Sequence, residues 1–155
     1  MLALFALPHV RDFTHGPKSA AVFINALERG DRELLIIERS GRPFGHLAIV
    51  IVDGWLMEVR VIAFEEQRTG AGRFAMEWLL IHAFENLGLH RIFLEVVKSN
   101  FGAQALYASV GFFKEGCYRD GYRLTTAPIT ISYRLDYSTR MLCERLNVRM
   151  ASKFV

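Results

Sequence analysis

The stretch EEQRTGAGRFAMEW, Glu65 to Trp78, follows an apolar strand-like run and opens an amphipathic helix, with Gly70 and Gly72 at the junction. Glycines at a strand-to-helix turn let backbone N–H groups come close to a ligand, because no Cβ stands in the way and left-handed backbone costs little. The helix that starts there offers several unpaired donors and about half a positive charge. Together these make a phosphate cradle, with Arg68 and Arg73 placed to add full charges. A nucleotide P-loop is excluded because no GK[ST] follows the glycines, and a dinucleotide fold because the third glycine of GxGxxG is missing. A plain tight turn before a helix would use the same residues, so the surroundings decide between the two.

Upstream, ELLIIER, FGHLAIVIV and WLMEVRVIAF are β-branched or aromatic runs separated by SGRP and by DG, the second a favoured two-residue hairpin turn. They predict an antiparallel meander. Before them, Ala21, Ile24 and Leu27 recur at helical spacing between Pro17 and Arg29, with Gly30 as the stop, which predicts one amphipathic helix. Downstream, RFAMEWLLIHAFENLG sets Met76, Leu80, Ala83 and Leu87 on one stripe and Glu77 and Glu85 away from it, with Gly88 as the stop. That predicts a long, mostly buried helix. HRIFLEVV then reads as a strand, NFGAQALYASV as a helix opened by Ser99 or Asn100 and closed by Gly111, and FFKEGCY and ITISYRL as two further strands. The order α-βββ-α-β-α-ββ predicts an α/β (α+β) fold: a mixed, mostly antiparallel sheet flanked by helices, since parallel neighbours need helical crossovers.

At 155 residues, 52% of them hydrophobic, the chain has the size and apolar content of one domain with a real core. The expected organisation is a single domain over 1–136 with a shortened N-terminus, then a C-terminal tail over 137–155 that alternates apolar and basic residues. Such a tail reads as a packed or frayed terminus, a helix or a dimer arm. Nineteen basic and sixteen acidic residues give a net charge of +3 without a run of like charge. Despite a pI of about 9.1, no nucleic-acid partner is expected. Cys117 and Cys143 lie far apart and outside any CxxC spacing, which indicates neither a disulfide framework nor a zinc site and suits a reducing cytoplasm. His9, His15, His46, His82 and His90 show no HxH or HExxH spacing, so no metal is expected. His46, in mid-strand, reads as a pocket-lining residue or as an ordinary half-exposed one. The apolar start MLALFALPHV lacks a basic n-region and a cleavage site, and no stretch is long enough to span a bilayer, so no membrane partner is expected.

Gln67-Arg68-Thr69-Gly70-Ala71-Gly72 resembles the Q/R-x-x-G-x-G/A signature of the GNAT N-acetyltransferase family. LEVVKSNFGAQALYASVGFFKEG looks like that family's second signature, which runs strand, Asn, helix, Leu-Tyr, then Gly-Phe. It resembles in particular the branch that acetylates ribosomal-protein N-termini, amino acids, polyamines and amino sugars. The resemblance covers roughly Glu33 to Leu135. It implies transfer of an acetyl group from acetyl-CoA, as cosubstrate, to a primary amine on a protein N-terminus or a small molecule, directly through a tetrahedral intermediate and without a metal. The N-terminus departs from the pattern, since family members usually open with a strand and two helices and only one clear helix precedes the meander here. That leaves the acceptor pocket open to a peptide end, or to completion by a second copy in a homodimer.

The resemblance also assigns roles. The backbone of Val61, Ile62 and Ala63 would pair with the pantetheine arm where the strand splays from its neighbour. The turn from Gln67 through Arg68, Thr69, Gly70, Ala71 and Gly72 to Arg73 would hold the pyrophosphate. Tyr107 stands at the Leu-Tyr position, where the phenol gives a proton or hydrogen bond to the coenzyme sulfur. An ordinary tyrosine, with a pKa of about 10, is protonated at neutral pH, against about 8.5 for a thiol. It also lies on an Ala103, Leu106, Tyr107, Val110 stripe that suits packing in the core. Glu95 matches the glutamate that acts as general base in the ribosomal branch. Alternation sets Phe93, Glu95 and Val97 against Ile92, Leu94 and Val96, so its carboxylate is either on a solvated face or in a pocket that raises its pKa. Glu58 is the rival base, or only a partner of Arg60. Asn100 matches the family's asparagine at the second helix, contacting the pantetheine arm or an ordered water, and an ordinary N-cap explains it equally well. The alternative function is a non-catalytic acyl-CoA-binding regulatory module, favoured by the missing first elements and disfavoured by Tyr107.

Overall fold

Tight turns, of two residues between the first pair of strands and three between the next, build the first half of the sheet. In the computed structural model, which describes residues 2–14, 19–30, 33–122 and 130–138, β1 (Glu33–Arg39) passes to β2 (Arg42–Val52) through Ser40 and Gly41. β2 passes to β3 (Leu56–Phe64) around Asp53 and Gly54. All four of these residues have φ between 52° and 74°, the left-handed backbone that lets a tight loop follow the twist of its strands. Both strand pairs are antiparallel, as the meander requires.

Six strands form one sheet in the order β1-β2-β3-β4-β6-β5, with β4 (Arg91–Val97), β5 (Phe113–Tyr122) and β6 (Thr130–Ser138). Among the described residues only β3 and β4 are parallel neighbours, and the crossover between them is α3 (Ala71–Ile81). The predicted order holds, with α2 (Ala20–Glu28) before the meander and α4 (Phe101–Val110) after β4. Two short elements go beyond it: a 3-10 turn over Leu2–Ala6 and α1 (Pro8–Arg11), which starts with proline at its first position.

The main core lies between the sheet and the α3/α4 layer. Leu47, Ile49, Met57, Val59, Ile92 and Leu94 pack with Met76, Leu79, Leu80 and Val110, each buried aliphatic side chain contributing roughly 1.5–3 kcal/mol. The opposite face is covered by the N-terminal segment, where Leu4 and Val10 pack on Ala63 with Phe5 and Leu7 beside them.

Several expectations are corrected. Ser19 accepts a hydrogen bond from the Val22 N–H at 3.3 Å, so α2 begins at Ala20 rather than Pro17, and its buried residue is Ala26. Ala21 and Ile24, expected on the buried stripe, are exposed. The helix after the glycine turn switches to wide π-type hydrogen bonding over His82–Asn86, with the Leu87 N–H donating to the His82 carbonyl. A wide turn shifts the helical phase by its extra residue, so Phe84 enters the core and Leu87 turns outward. Met76, Leu80 and Ala83 are buried as expected, but Phe74, Trp78 and Ile81 form a solvent face, so this helix is amphipathic rather than mostly buried. β6 runs to Ser138, two residues into the expected tail; the remainder of that tail, Cys143 included, lies outside the described residues. No helix among the described residues is long and apolar enough to cross a membrane.

Candidate active site

β3 and β4 pair only from Leu56 to Val59 against Arg91 to Leu94. The reason lies on the other edge of β3. Val59 pairs with Ile49 and Val61 with Ala48, which leaves Arg60 as an extra residue. A bulge of this kind bends the strand, increases its twist and inverts which residues face which layer. Met57 and Val59 face α3; beyond the bulge Ile62 and Phe64 do so, while Ala63 faces the N-terminal segment. The second half of β3 therefore swings away from β4.

The opening is a cleft of about 160 Å³ that reaches both faces of the sheet. His9, Val10, Phe13 and Thr14 wall it on one side, and Asn100 and Tyr107 on the other. Glu58 and Arg60 of β3 and Glu95 of β4 line its edges. The three side chains expected to carry catalysis, Tyr107, Glu95 and Glu58, thus meet in one cleft. By alternation from Met57, Val59, Leu94 and Val96, which belong to the main core, Glu58 and Glu95 project to the N-terminal face. Tyr107 packs against the main core on the opposite face.

Their surroundings differ. Burial pushes the Tyr107 phenol up to about 12, so it stays protonated across the neutral range, and its ring lies 6.0 Å from that of Phe112. Packing in the core and lining the cleft are both true of it. Glu58 is mostly buried, with the Arg60 guanidinium 2.9 Å away, so the pairing with Arg60 is realised. Glu95 is exposed between buried neighbours, which is the solvated alternative rather than the enclosed pocket. Asn100 caps α4, its Oδ1 accepting from the Ala103 N–H at 3.1 Å. Gln104 Nε2 donates to the carbonyls of Val97 and Lys98 and ties the helix to the end of β4.

The two glycines of the turn do separate work. Gly70 has φ +82°, opens α3 without a side-chain cap, and an added Cβ would meet nothing within 4 Å. It bends the loop and leaves open space over the first-turn donors. A Cβ at Gly72 would come within 3.0 Å of Leu106 Cδ2, so this glycine lets α4 pack close to α3. Gln67, Arg68 and Thr69 are exposed, Arg68 with φ +59° and no ion-pair partner among the described residues. Arg73 shares its charge with Glu77 at 3.0 Å. Val61, Ile62 and Ala63 pair with β2 on one edge and, among the described residues, with no strand on the other. Open donors at a helix start next to an unpaired strand edge fit a pyrophosphate joined to an extended amide-bearing arm.

Sequence reasoning missed His9, Phe13 and Thr14, although Pro8 before a helical stretch was a usable start signal. His9 Nε2 lies 2.9 Å from the Phe64 carbonyl oxygen. His46 fits neither of its two expected readings. It is 1% exposed, away from the cleft and against the Phe5 ring at 5.3 Å. Burial lowers it to about 4, and neither ring nitrogen has a hydrogen-bond partner among the described residues. No group of three metal-ligating side chains occurs among the described residues.

The sequence matches the profile of the family described as "Acetyltransferase (GNAT) family" over residues 1–112. Among solved structures, the chain is similar to the ribosomal-protein-S18-alanine N-acetyltransferase of Escherichia coli, at 22% identity and a TM-score of 0.72, covering 99% of this chain and 90% of that one. It is similar to a mutant spermidine N-acetyltransferase of Vibrio cholerae, at 18% identity and a TM-score of 0.78, covering 94% and 90%. A probable acetyltransferase of Chromobacterium violaceum matches at 23% identity and a TM-score of 0.72, covering 91% and 77%. At such identities the likeness is one of fold. A comparison with curated proteins gives no significant match.

Proposed function

The chain belongs to the GNAT acetyltransferase family, and from that premise we propose that this acetyl-CoA-dependent N-acetyltransferase works across the split in its sheet. The thioester enters from the α4 side and the amine from the side of the N-terminal segment. The observation that carries this reading is the cleft beyond Val59 and Leu94, which has Tyr107 on one face and Glu58 and Glu95 on the other.

When bound, acetyl-CoA supplies an acetyl group already activated as a thioester. The free edge of Val61, Ile62 and Ala63 would hold the pantetheine arm, and the N–H groups from Arg68 to Arg73 the pyrophosphate. The carboxylates of Glu58 and Glu95 would draw in the ammonium form of a primary amine. Tyr107 would donate to the sulfur as the C–S bond breaks. Burial that raises the phenol also raises a thiol in the same cleft, so the difference between the two is held to a few pK units.

By their names, the neighbours act on a ribosomal-protein alanine and on spermidine. Both carry a cationic amine, which suits the acidic edges of the cleft. The non-catalytic module alternative rested on missing N-terminal elements; His9 to Thr14 supply a wall to the cleft, which removes its motive.

Thermal unfolding with acetyl-CoA, free CoA and ATP tests the reading. A ligand at about 100 times its Kd adds roughly 2.7 kcal/mol, enough to raise the midpoint of a domain of this size by several degrees. The expected result is a shift with the first two and none with ATP. No shift with either form of the coenzyme would refute the cradle.

A further inference from the structure

His9 sits on α1 at the mouth of the cleft, tied through Nε2 to the Phe64 carbonyl oxygen at 2.9 Å. A carbonyl only accepts hydrogen bonds, so Nε2 must carry the proton, and a neutral ring then leaves Nδ1 with a free lone pair. The contact fixes the tautomer as well as the orientation. The ring is held by the strand that splays, next to the cradle, on the face from which the amine enters.

We propose that His9 is the catalytic base, its Nδ1 taking the proton that the incoming ammonium must lose. This rests on the acetyl-transfer reading above and names a residue that reading leaves without a role. The groups around it divide the remaining work. On its own helix, Arg11 is paired with Asp12 at 3.0 Å. From β3, Glu58 is engaged with Arg60; from β4, Glu95 reaches the same cleft; from α4, Tyr107 closes the far side. The carboxylates hold the cation by charge. An imidazole, stronger as a base than a carboxylate by about two pK units in water, removes its proton.

The ammonium gives one proton to Nδ1. The freed nitrogen lone pair forms the N–C bond to the thioester carbon, and the C–S bond breaks with its electron pair going to sulfur. The nitrogen sheds its second proton as the amide forms, matching the one the sulfur gains through Tyr107. One proton in total leaves by way of His9.

The test uses the full chain with acetyl-CoA and two acceptors, spermidine and an alanine-initial peptide, reading release of free thiol against pH. His9→Gln keeps a donor for the Phe64 carbonyl and removes the base; His9→Asn is the second variant. The expected result is an unchanged acetyl-CoA-induced midpoint shift, turnover at neutral pH about a hundredfold lower, and loss of the acid limb of the pH–rate profile, a limb that Glu95→Gln retains. If neither amine is acetylated, slow hydrolysis of acetyl-CoA is compared in the same way, water taking the place of the amine. Nitrogen NMR of the unaltered chain should show the Nε2–H tautomer at His9. An Nδ1–H tautomer, or an acid limb that survives in His9→Gln, would overturn the proposal. A chain that shows the tautomer but no acetyl-CoA shift would instead bring down the coenzyme reading.

Discussion

From Leu56 to Val59, β3 is hydrogen-bonded along both edges and buries Met57 completely; from Arg60 to Phe64 it keeps β2 and gives up β4. The side chains of the two halves are of similar kinds. What separates them is one extra residue at Arg60. Burying a backbone edge without partners is costly, so an opening in mid-sheet is stable only where something else meets the free groups. In the first half the partner is β4; in the second, an extended ligand arm would take its place. Stability is concentrated in the closed half, which still sends Glu58 into the cleft, while the open half keeps Ile62 and Phe64 on the core.

The contrast is exposed to mutation. Met57→Ala should cost about 2–5 kcal/mol in urea unfolding through the cavity it leaves. Ile62→Ala, half-buried in the open half, should cost nearer 1 kcal/mol while reducing the acetyl-CoA-induced shift. Equal losses of stability would mean that the open half is as much a part of the core as the closed one.

His46 probes the cover over the open half, where it pairs with Ala63 in register. Its folded-state value is depressed, so the stability it contributes is present above its unfolded value of about 6.5 and is lost as pH falls toward about 4. The loss should reach roughly 3 kcal/mol. It should be absent in His46→Leu when unfolding free energies are compared across that range. A wild-type curve that is flat below pH 6 would show that the N-terminal cover admits water.

Tyr107→Phe should lower turnover about a hundredfold with the acetyl-CoA shift intact, separating binding from chemistry. The phenol itself should cause no loss of activity on the alkaline side until the pH nears about 12. A further effect is expected at the turn. Gly70→Ala should destabilise by about 1–2 kcal/mol, because a Cβ is disfavoured at φ +82°, and should also weaken acetyl-CoA binding measured by calorimetry. Gly72→Ala should disturb α4 through Leu106 instead.

The meander and the glycine turn were legible in the sequence because Asp53-Gly54 and Gly70 answer local demands for left-handed backbone, which few residues meet. The signature around Asn100 and Tyr107 was legible through its resemblance to the family, and local rules alone gave the strand, the helix and Asn100 as a cap. The bulge was not: Glu58, Arg60 and Ile62 look like ordinary alternation, and only the register of β2 reveals the extra residue. Leu87 was misplaced because a π-type turn alters helical phase without a distinctive residue to announce it. His46 was misjudged because a single polar residue in an apolar run does not say which layer covers it. His9 was passed over because its value depends on a carbonyl far along the chain.

The position of β6 between β4 and β5 bears on how the protein is born. Both of its neighbours leave the ribosome first, and the β1–β3 meander, joined by tight turns, can close as soon as it emerges. From the end of β4 to the start of β6, synthesis at about 5–20 residues per second takes roughly two to seven seconds. For that interval β4 presents a bare edge rich in Ile, Leu, Phe and Val. Nascent chains stalled between Val97 and Thr130 would therefore be the ones most in need of a chaperone.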